Sequence, residues 1–287
     1  MRINAFCKRN FITRTYLFIS GVSILLFSGV AYSGAWTGPE GTSYNKFGLN
    51  YFSSDKALDS DGDSVDAGSD FTDFNFTYYG EYGVRDDLSV FGSAAFKQLD
   101  ADPDAADSVD NSGIGDIDLG VRYNLYNGDE GVISIQGLIK IPEAYDEDDE
   151  LPLGNGQYDL EVRLLYGKSL YPLPMYYGLE LGYRGRDEDP SDEVKYLLEF
   201  GYTASDKVSL RAKLDGTLSA KNAANVVATP ENPTLAADFD IGKLELTAGY
   251  TIEKNRFLEF SLTSTLYGRD TADGTTISVA FIYAIQP

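Results

Sequence analysis

The side chains that could do chemistry in this 287-residue chain are carboxylates and guanidinium groups, because it contains no histidine and a single cysteine. Without histidine there is no imidazole base to activate a serine or threonine nucleophile, and no imidazole metal ligand. Paired carboxylates could do acid–base work, but acidic residues occur throughout the chain and no pair stands out. The sequence therefore predicts neither an enzyme nor a bound cofactor.

One acidic run resembles part of a calcium-binding loop. Asp59, Asp61 and Asp63 alternate as calcium ligands do, but Ser64 stands where the helix–loop–helix motif needs glycine. Asp70 also replaces the final glutamate of that motif. These three aspartates are weak calcium candidates, and a solvated acidic loop is the favoured interpretation. Acidic residues in such loops would bind divalent cations diffusely.

Acidic residues outnumber basic ones by 45 to 23, which gives a formal net charge of −22. This balance argues against nucleic acid as a partner, because phosphate binding requires clustered lysine and arginine. The chain is also rich in Tyr (21), Phe (16) and Gly (29). Such a composition favours strands over helical bundles.

Residues 1–33 are predicted to be a secretory signal peptide. Their basic start holds four Lys or Arg residues and no acid, and an apolar run follows over residues 16–30. Small residues after this run allow cleavage after Ser33 or after Ala35. A retained membrane helix is the alternative, but the run is short and contains two glycines. Residues 34–287 would then form the mature protein.

Alternating apolar and polar residues predict β-strands along the mature chain. Within residues 115–126, for example, Leu119 and Val121 lie on one face and Arg122 lies on the other. The same period of two predicts twelve strands, and a change of parity near Gly242 predicts a β-bulge in the tenth. The predicted strands are 43–53, 71–84, 87–98, 114–126, 131–141, 157–170, 175–186, 193–204, 207–219, 235–252, 256–268 and 275–285.

The connections between these strands alternate between tight turns and longer loops. Alternating loop lengths and an even strand number are typical of outer-membrane barrels, whereas a soluble β-sandwich gives no reason for them. The sequence therefore predicts an all-β fold, a transmembrane antiparallel up-and-down β-barrel, in the outer membrane of a Gram-negative bacterium. The longer loops are predicted at 54–70, 99–113, 142–156, 187–192, 220–234 and 269–274.

The polar faces of the predicted strands carry charges of both signs. Inside a barrel such charges either pair across strands or line a hydrated path for small solutes. We expect both roles, with Arg184 and Arg186 the stronger solute contacts. The short segment before the first strand leaves no room for a plug domain, so side chains and inward-folded loops would close the lumen. The candidate lumen-lining residues are Asp118, Arg122, Asp159, Glu161, Arg163, Glu180, Arg184, Arg186, Arg211 and Lys213.

Four short motifs lie between residues 112 and 185. They are 113–123 (GIGDIDLGVRY), 140–142 (KIP), 153–160 (LGNGQYDL) and 166–169 (YGKS). In these motifs the chain resembles the outer-membrane transporter family of the phenol meta-pathway (MetA-pathway of phenol degradation). The resemblance implies a barrel and suggests uptake of small molecules. Glu143 and Pro287 depart from the family pattern.

These features predict a porin-like channel or transporter that passes small solutes through a narrow charged lumen. The alternative is a structural or partner-binding barrel of an export or surface-polymer system, and an outer-membrane enzyme ranks third. A stable conductance would favour the channel, whereas a sealed barrel would favour the scaffold. The expected partners are outer-membrane lipid and lipopolysaccharide, small solutes and diffusely bound divalent cations, without nucleic acid.

Overall fold

A computed structural model describes residues 34–142, 144–187, 190–223 and 236–286; the predicted signal peptide lies outside this part. No helix in the described part is long and apolar enough to cross a membrane. In this part of the chain, thirteen strands form one antiparallel sheet. They are β1 Ser43–Leu58, β2 Ser64–Arg85, β3 Leu88–Pro103, β4 Val109–Ile114, β5 Ile117–Gly128, β6 Gly131–Ile141, β7 Asp159–Ser169, β8 Met175–Arg186, β9 Glu193–Thr203, β10 Val208–Ser219, β11 Asp240–Glu253, β12 Arg256–Arg269 and β13 Thr271–Ile285.

The sheet closes into a barrel because β1 pairs with both β2 and β13. Strands β4 and β5 both pair with β3, so they form a single barrel strand that is interrupted at Gly115 and Asp116. The barrel therefore has twelve strands, which confirms the predicted fold class and strand number. Closure gives every strand two neighbours over most of its length and leaves few unpaired backbone groups.

Apolar side chains cover the outside of this barrel. On β2, Phe74, Phe76 and Tyr78 are exposed, whereas Asp73 and Glu81, on the other face of the same strand, are buried. An exposed apolar face over a polar interior is the reverse of a soluble β-sandwich. It is the arrangement of a barrel whose outer surface is covered by lipid.

Three of the six predicted long loops are instead mostly strand. Only residues 59–63 connect β1 to β2, only 104–108 connect β3 to β4, and only Asp270 connects β12 to β13. The prediction failed there because the pattern is reversed at the β1–β2 and β3–β4 tips: acidic residues such as Asp100 and Asp102 are exposed, whereas the apolar Leu99 and Ala101 between and beside them are buried on the inner face. The connections 142–158 and 187–192 lie at the same end of the barrel, which we call the long-loop end; the opposite end is the short-turn end.

The β-bulge that the sequence predicted in the tenth barrel strand lies instead in its neighbour β12, opposite Gly242. The register of β11 against β12 shifts between Gly242 and Lys243. A bulge places two residues of one strand opposite one residue of its neighbour, which reverses the parity of the side chains that follow. Gly242 pairs with Tyr267 and Lys243 pairs with Thr265, so Leu266 is the extra residue, and Leu266 and Tyr267 are both exposed. The strand β11 keeps its register with β10, and its sequence parity changes because the apolar Ile241 is buried on the same face as Thr247.

Residues 34–42 enter the barrel at the short-turn end: Ala35 and Trp36 lie inside it, whereas Thr37 and Glu40 bond to Asp86 in the turn at its rim. Ser134 Oγ on β6 donates a hydrogen bond to the carbonyl oxygen of Ala35 at 2.5 Å. Arg122 Nη1 on β5 donates another to the carbonyl of Trp36 at 3.2 Å. The expectation that only side chains and loops would close the lumen was therefore wrong, because a short extended segment can satisfy its backbone groups on the polar inner wall.

Apolar contacts fix the same segment. Ala35 packs with the inward-facing Val132 and Leu165 in a small core. The indole of Trp36 meets the ring of Tyr176 edge-on, with the ring centroids 6.2 Å apart. Aromatic pairs favour this edge-to-face geometry. The segment therefore narrows the short-turn end of the lumen through both polar and apolar contacts.

We expect signal peptidase to cut after Ser33 rather than after Ala35. Cleavage after Ala35 would remove a residue that is 1% exposed, together with the carbonyl that accepts the buried Ser134 hydroxyl. Leaving that hydroxyl without its partner costs about 1–3 kcal/mol. Intact-mass spectrometry of protein extracted from outer membranes should give a chain that starts at Gly34. A chain that starts at Trp36 would contradict the placement of this segment.

Candidate functional site

The charged side chains lie in the interior of the barrel. Arg122 Nη1 on β5 is 3.0 Å from Glu81 Oε2 on β2, although β3 separates the two strands. Lys46 Nζ on β1 is likewise 2.7 Å from Glu259 Oε2 on β12, across β13. Ion pairs between strands that are not neighbours in the sheet must pass through the lumen. The polar face is therefore the inner face.

Glu161 is the centre of one cluster of candidate residues, on β7 and β8. Its Oε2 lies 2.9 Å from Arg184 Nη2, and its Oε1 lies 2.8 Å from Arg163 Nη2. Arg163 Nη1 is also 2.6 Å from Glu180 Oε2. Glu161 is only 1% exposed, so removing its guanidinium partners would leave an uncompensated buried charge.

Asp159 joins this cluster to the long-loop end. One carboxylate oxygen lies 3.2 Å from Lys140 Nζ and 3.6 Å from Arg184 Nη1. The other lies 3.8 Å from Arg186 Nε. Arg186 Nη1 is in turn 3.3 Å from Glu193 Oε1 on β9. The structure therefore brings Arg184 and Arg186 together where β8 ends.

Arg211 on β10 belongs to a separate cluster. Its guanidinium nitrogens lie 3.2 Å from Glu259, 3.3 Å from Glu245 and 3.9 Å from Glu199. Lys213 Nζ is 3.4 Å from the second carboxylate oxygen of Glu245. Three carboxylates on three different strands thus share one guanidinium group, whose planar fork is suited to several acceptors. This cluster braces β9 to β12 from inside.

The candidate residues do not form an uninterrupted basic surface. Arg122, Arg163 and Arg184 each have a carboxylate oxygen within 3.0 Å, and that of Arg211 lies at 3.2 Å. Asp118, on the inner face of β5, accepts a hydrogen bond from Ser93 Oγ at 3.3 Å. Positive and negative groups therefore alternate around the lumen, and their pairing supports the wall.

An inward-folded segment, residues 144–158, packs against the inner wall at the long-loop end. Its Leu151 and Leu153 are buried against the inward-facing Phe71, Leu99 and Ala101 of β2 and β3. Burying a leucine side chain contributes about 1.5–3 kcal/mol. The segment is therefore held inside the barrel mouth by an apolar core, and we call this contact the leucine latch.

Hydrogen bonds add to the leucine latch. Tyr145 Oη donates to Asp116 Oδ1 at 2.6 Å and accepts from the backbone N–H of Gly156 at 2.7 Å. Burial and the bond to Asp116 raise the pKa of Tyr145, so its hydroxyl keeps the proton it donates. Lys97 Nζ also donates to the carbonyl of Leu153 at 3.2 Å. Gly156 has a φ of 76°, a left-handed conformation that favours glycine.

Residues from three of the motifs that carry the family resemblance meet beside this segment. Lys140 Nζ lies 3.5 Å from Asp116 Oδ2 and 3.2 Å from Asp159 Oδ2, and it donates to Asn155 Oδ1 at 3.3 Å. The sequence reasoning anticipated inward-folded loops but did not identify this one. Its signal was Leu151 and Leu153, which directly follow the acidic run 146–150.

The weak calcium candidates form a turn. The side-chain oxygen Oδ1 of Asp59 accepts hydrogen bonds from the backbone N–H groups of Asp61 and Asp63, both at 2.9 Å. Within the described ranges, no group of three or more His, Cys, Asp or Glu residues is arranged to hold a metal ion. Diffuse binding of divalent cations by the acidic tips stays a prediction.

No family model matches the chain, and no curated protein matches its sequence. Among solved structures, the COG4313 outer-membrane channel from Pseudomonas putida F1 is similar, with a TM-score of 0.72, 18% identity, and coverage of 89% of this chain and 100% of that one. The translocator domain of the autotransporter NalP from Neisseria meningitidis is also similar, with a TM-score of 0.50 and 11% identity, and with coverage of 87% of this chain and 90% of that one. The CymD monoaromatic hydrocarbon channel is less similar, with a TM-score of 0.44 and 12% identity, and with coverage of 87% of this chain and 89% of that one. The first comparison shows that the chain has the fold of an outer-membrane β-barrel channel.

We expect the leucine latch to protect the 144–158 segment from proteolysis. Leu153→Ala should cost about 2–5 kcal/mol, because it leaves a cavity against Phe71 and Leu99. A glutamate-specific protease, which cuts after Glu147 and Glu150, should then cleave the segment at least about tenfold faster. Fragment masses identify the cut.

Leu173→Ala is the matched control for this experiment, because Leu173 is 57% exposed in a tight turn at the short-turn end. Its cleavage rate in the 144–158 segment should equal that of the wild type. An unchanged rate in Leu153→Ala would show that the two leucines do not hold the segment.

Proposed function

We propose that the protein is a channel for small polar solutes in the outer membrane of a Gram-negative bacterium. The observation that carries this proposal is an apolar exterior around an interior lined by ionised side chains, such as the Glu161 and Arg211 clusters. Eight strands enclose a space that side chains can fill, whereas sixteen to eighteen leave a wide aqueous channel. A twelve-stranded barrel lies between these limits, which favours a narrow hydrated path.

The chemistry of the inner wall favours passage of polar rather than apolar solutes. The described side chains of β1 and β2 add neutral polar groups to the charged clusters: Asn50 Nδ2 donates to Asn75 Oδ1 at 2.8 Å and to Thr77 Oγ1 at 3.2 Å. Alternating charges together with amide and hydroxyl groups can replace parts of a solute's hydration shell. The resemblance to the phenol meta-pathway transporter family adds the suggestion of uptake, without identifying aromatics as the solutes.

A structural or partner-binding barrel is the second candidate. Its support is that peptide segments narrow both ends of the lumen: residues 34–42 at the short-turn end and 144–158 at the long-loop end. A scaffold would keep both segments in place, whereas a channel would need at least one of them to move. Outer-membrane lipid and lipopolysaccharide would contact the apolar exterior in either case.

Conductance of the purified mature protein in planar bilayers separates the two candidates. We expect stable ohmic steps for the wild type and larger or longer steps for Leu153→Ala, because releasing the leucine latch frees the long-loop end. Leu173→Ala should conduct like the wild type. A barrel that stays sealed in both the wild type and Leu153→Ala would contradict the channel and favour the scaffold.

The reversal potential under a salt gradient reports whether the paired charges face the conducting path. Arg184→Ala leaves Glu161 and Asp159 with one cation fewer, so the ion selectivity should shift towards cations. Heat-modifiable migration on gels should show that the variant still forms a barrel. An unchanged reversal potential would mean that Arg184 only supports the wall.

A further inference from the structure

We infer that Arg186 and Gln157 form a subsite for a small hydroxycarboxylate at the long-loop end of the lumen. The inference rests on the proposed channel function and adds the chemical class of a solute. The Arg186 side chain is 2% exposed, yet its Nε and Nη1 have no hydrogen-bond partner among the described residues. Gln157 is also 2% exposed, and its Oε1 has none in the same part of the chain.

Both side chains approach the same carboxylate oxygen, Oδ1 of Asp159. Gln157 Nε2 donates to Asp159 Oδ1 at 3.1 Å, which leaves the amide oxygen pointing elsewhere. Arg186 Nε is 3.8 Å from the same Oδ1, which is an ion-pair distance but too long for a hydrogen bond. Two unmatched donor nitrogens and one unmatched acceptor oxygen therefore belong to two buried side chains that share Asp159 as a neighbour.

The neighbouring carboxylates are shared with other cations. Asp159 also contacts Lys140 and Arg184. Glu193 divides its two oxygens between Arg186 Nη1 and Lys195 Nζ, at 3.3 Å each. An unmade hydrogen bond on a buried charged group costs about 1–3 kcal/mol. A ligand oxygen that accepts a hydrogen bond from Arg186 would therefore regain part of this free energy.

The chemical class of the ligand follows from the hydrogen-bond partners that Arg186 and Gln157 lack. Guanidinium N–H groups prefer carboxylate oxygens, with which they make short charge-assisted hydrogen bonds. The Gln157 Oε1 atom needs a donor, which a hydroxyl group next to a carboxylate supplies. A plain carboxylate of the same size would leave this amide oxygen unmatched. Lactate is therefore a suitable probe, and propionate is its matched control ligand.

Access to the subsite depends on the 144–158 segment, because Gln157 belongs to it. A guanidinium group that is 2% exposed has no open route from bulk water. Moving the segment away from the inner wall separates Gln157 from Asp159 and uncovers Arg186. The leucine latch thus connects the opening of the lumen with entry of the solute into the subsite.

Saturation-transfer NMR on the full mature protein in detergent tests the subsite without requiring conductance. Lactate should bind more tightly than propionate, and Arg186→Gln should weaken lactate binding about tenfold or more, as expected for a lost charge-assisted bond. Gln157→Met should reduce lactate binding to the level of propionate and leave propionate unchanged. Arg256→Gln is the control variant, because it removes the same charge from an exposed turn at the short-turn end.

Equal binding of lactate and propionate by the wild type would overturn the inference, as would lactate binding that Arg186→Gln does not weaken. A crystal structure grown with lactate that holds ordered water only at Arg186 would also overturn it. If Arg186→Gln fails to fold, as shown by the loss of heat-modifiable migration, Gln157→Met decides the outcome. A wild type that conducts but ignores lactate refutes the subsite alone, whereas a sealed barrel that binds lactate refutes the channel alone.

Discussion

Ionised side chains in a low-dielectric barrel must have opposite charges or water beside them, and the rest of the structure depends on this requirement. Glu161 illustrates it: the carboxylate is 1% exposed and sits between the guanidinium groups of Arg163 and Arg184. Glu81 and Arg122 satisfy each other across β3. Each pair ties strands together from inside, where a soluble protein would place a packed apolar core. The outer face is then left free to be apolar, which is what contact with lipid requires.

The same requirement explains how the two ends of the lumen are narrowed. At the short-turn end, Arg122 Nη1 serves both Glu81 and the carbonyl of Trp36, so the inner wall binds a backbone segment with a group that also pairs with a wall carboxylate. At the long-loop end, Asp116 accepts from Tyr145 and contacts Lys140. Polar wall residues thus hold peptide segments inside the barrel, and the apolar contacts of Ala35 and of the leucine latch add to this attachment.

The period-two pattern was sufficient to predict the barrel and the number of strands, because lipid on one side and a polar lumen on the other impose strict alternation. The bulge near Gly242 was assigned to the wrong strand, because the apolar Ile241 faces inward and imitates a change of parity, whereas the extra residue is Leu266 of β12. The pattern failed at the tips of β1–β2 and β3–β4, where the outer face carries exposed acidic residues and the inner face carries buried apolar ones such as Leu99, the reverse of the membrane-spanning part. Partner choice was also beyond the sequence. Arg122 and Arg184 both occupy polar faces, but the pairing of one with Glu81 and of the other with Glu161 depends on barrel closure and strand register. Trp36 was overlooked because a segment without periodicity gives no sign that it lies inside the barrel.

A double-mutant cycle on Arg122 and Glu81 tests most directly whether interior ion pairs hold the barrel wall together. Both side chains are buried, at 7% and 5% exposure. Reversible denaturant unfolding should show that Arg122→Met and Glu81→Gln each cost about 3–5 kcal/mol, because each leaves a buried group unpaired. The double variant should cost far less than the sum of the two. The exposed pair Lys168–Glu130 serves as the control, with a coupling of about 0–1 kcal/mol. Additive losses at Arg122 and Glu81 would contradict the account.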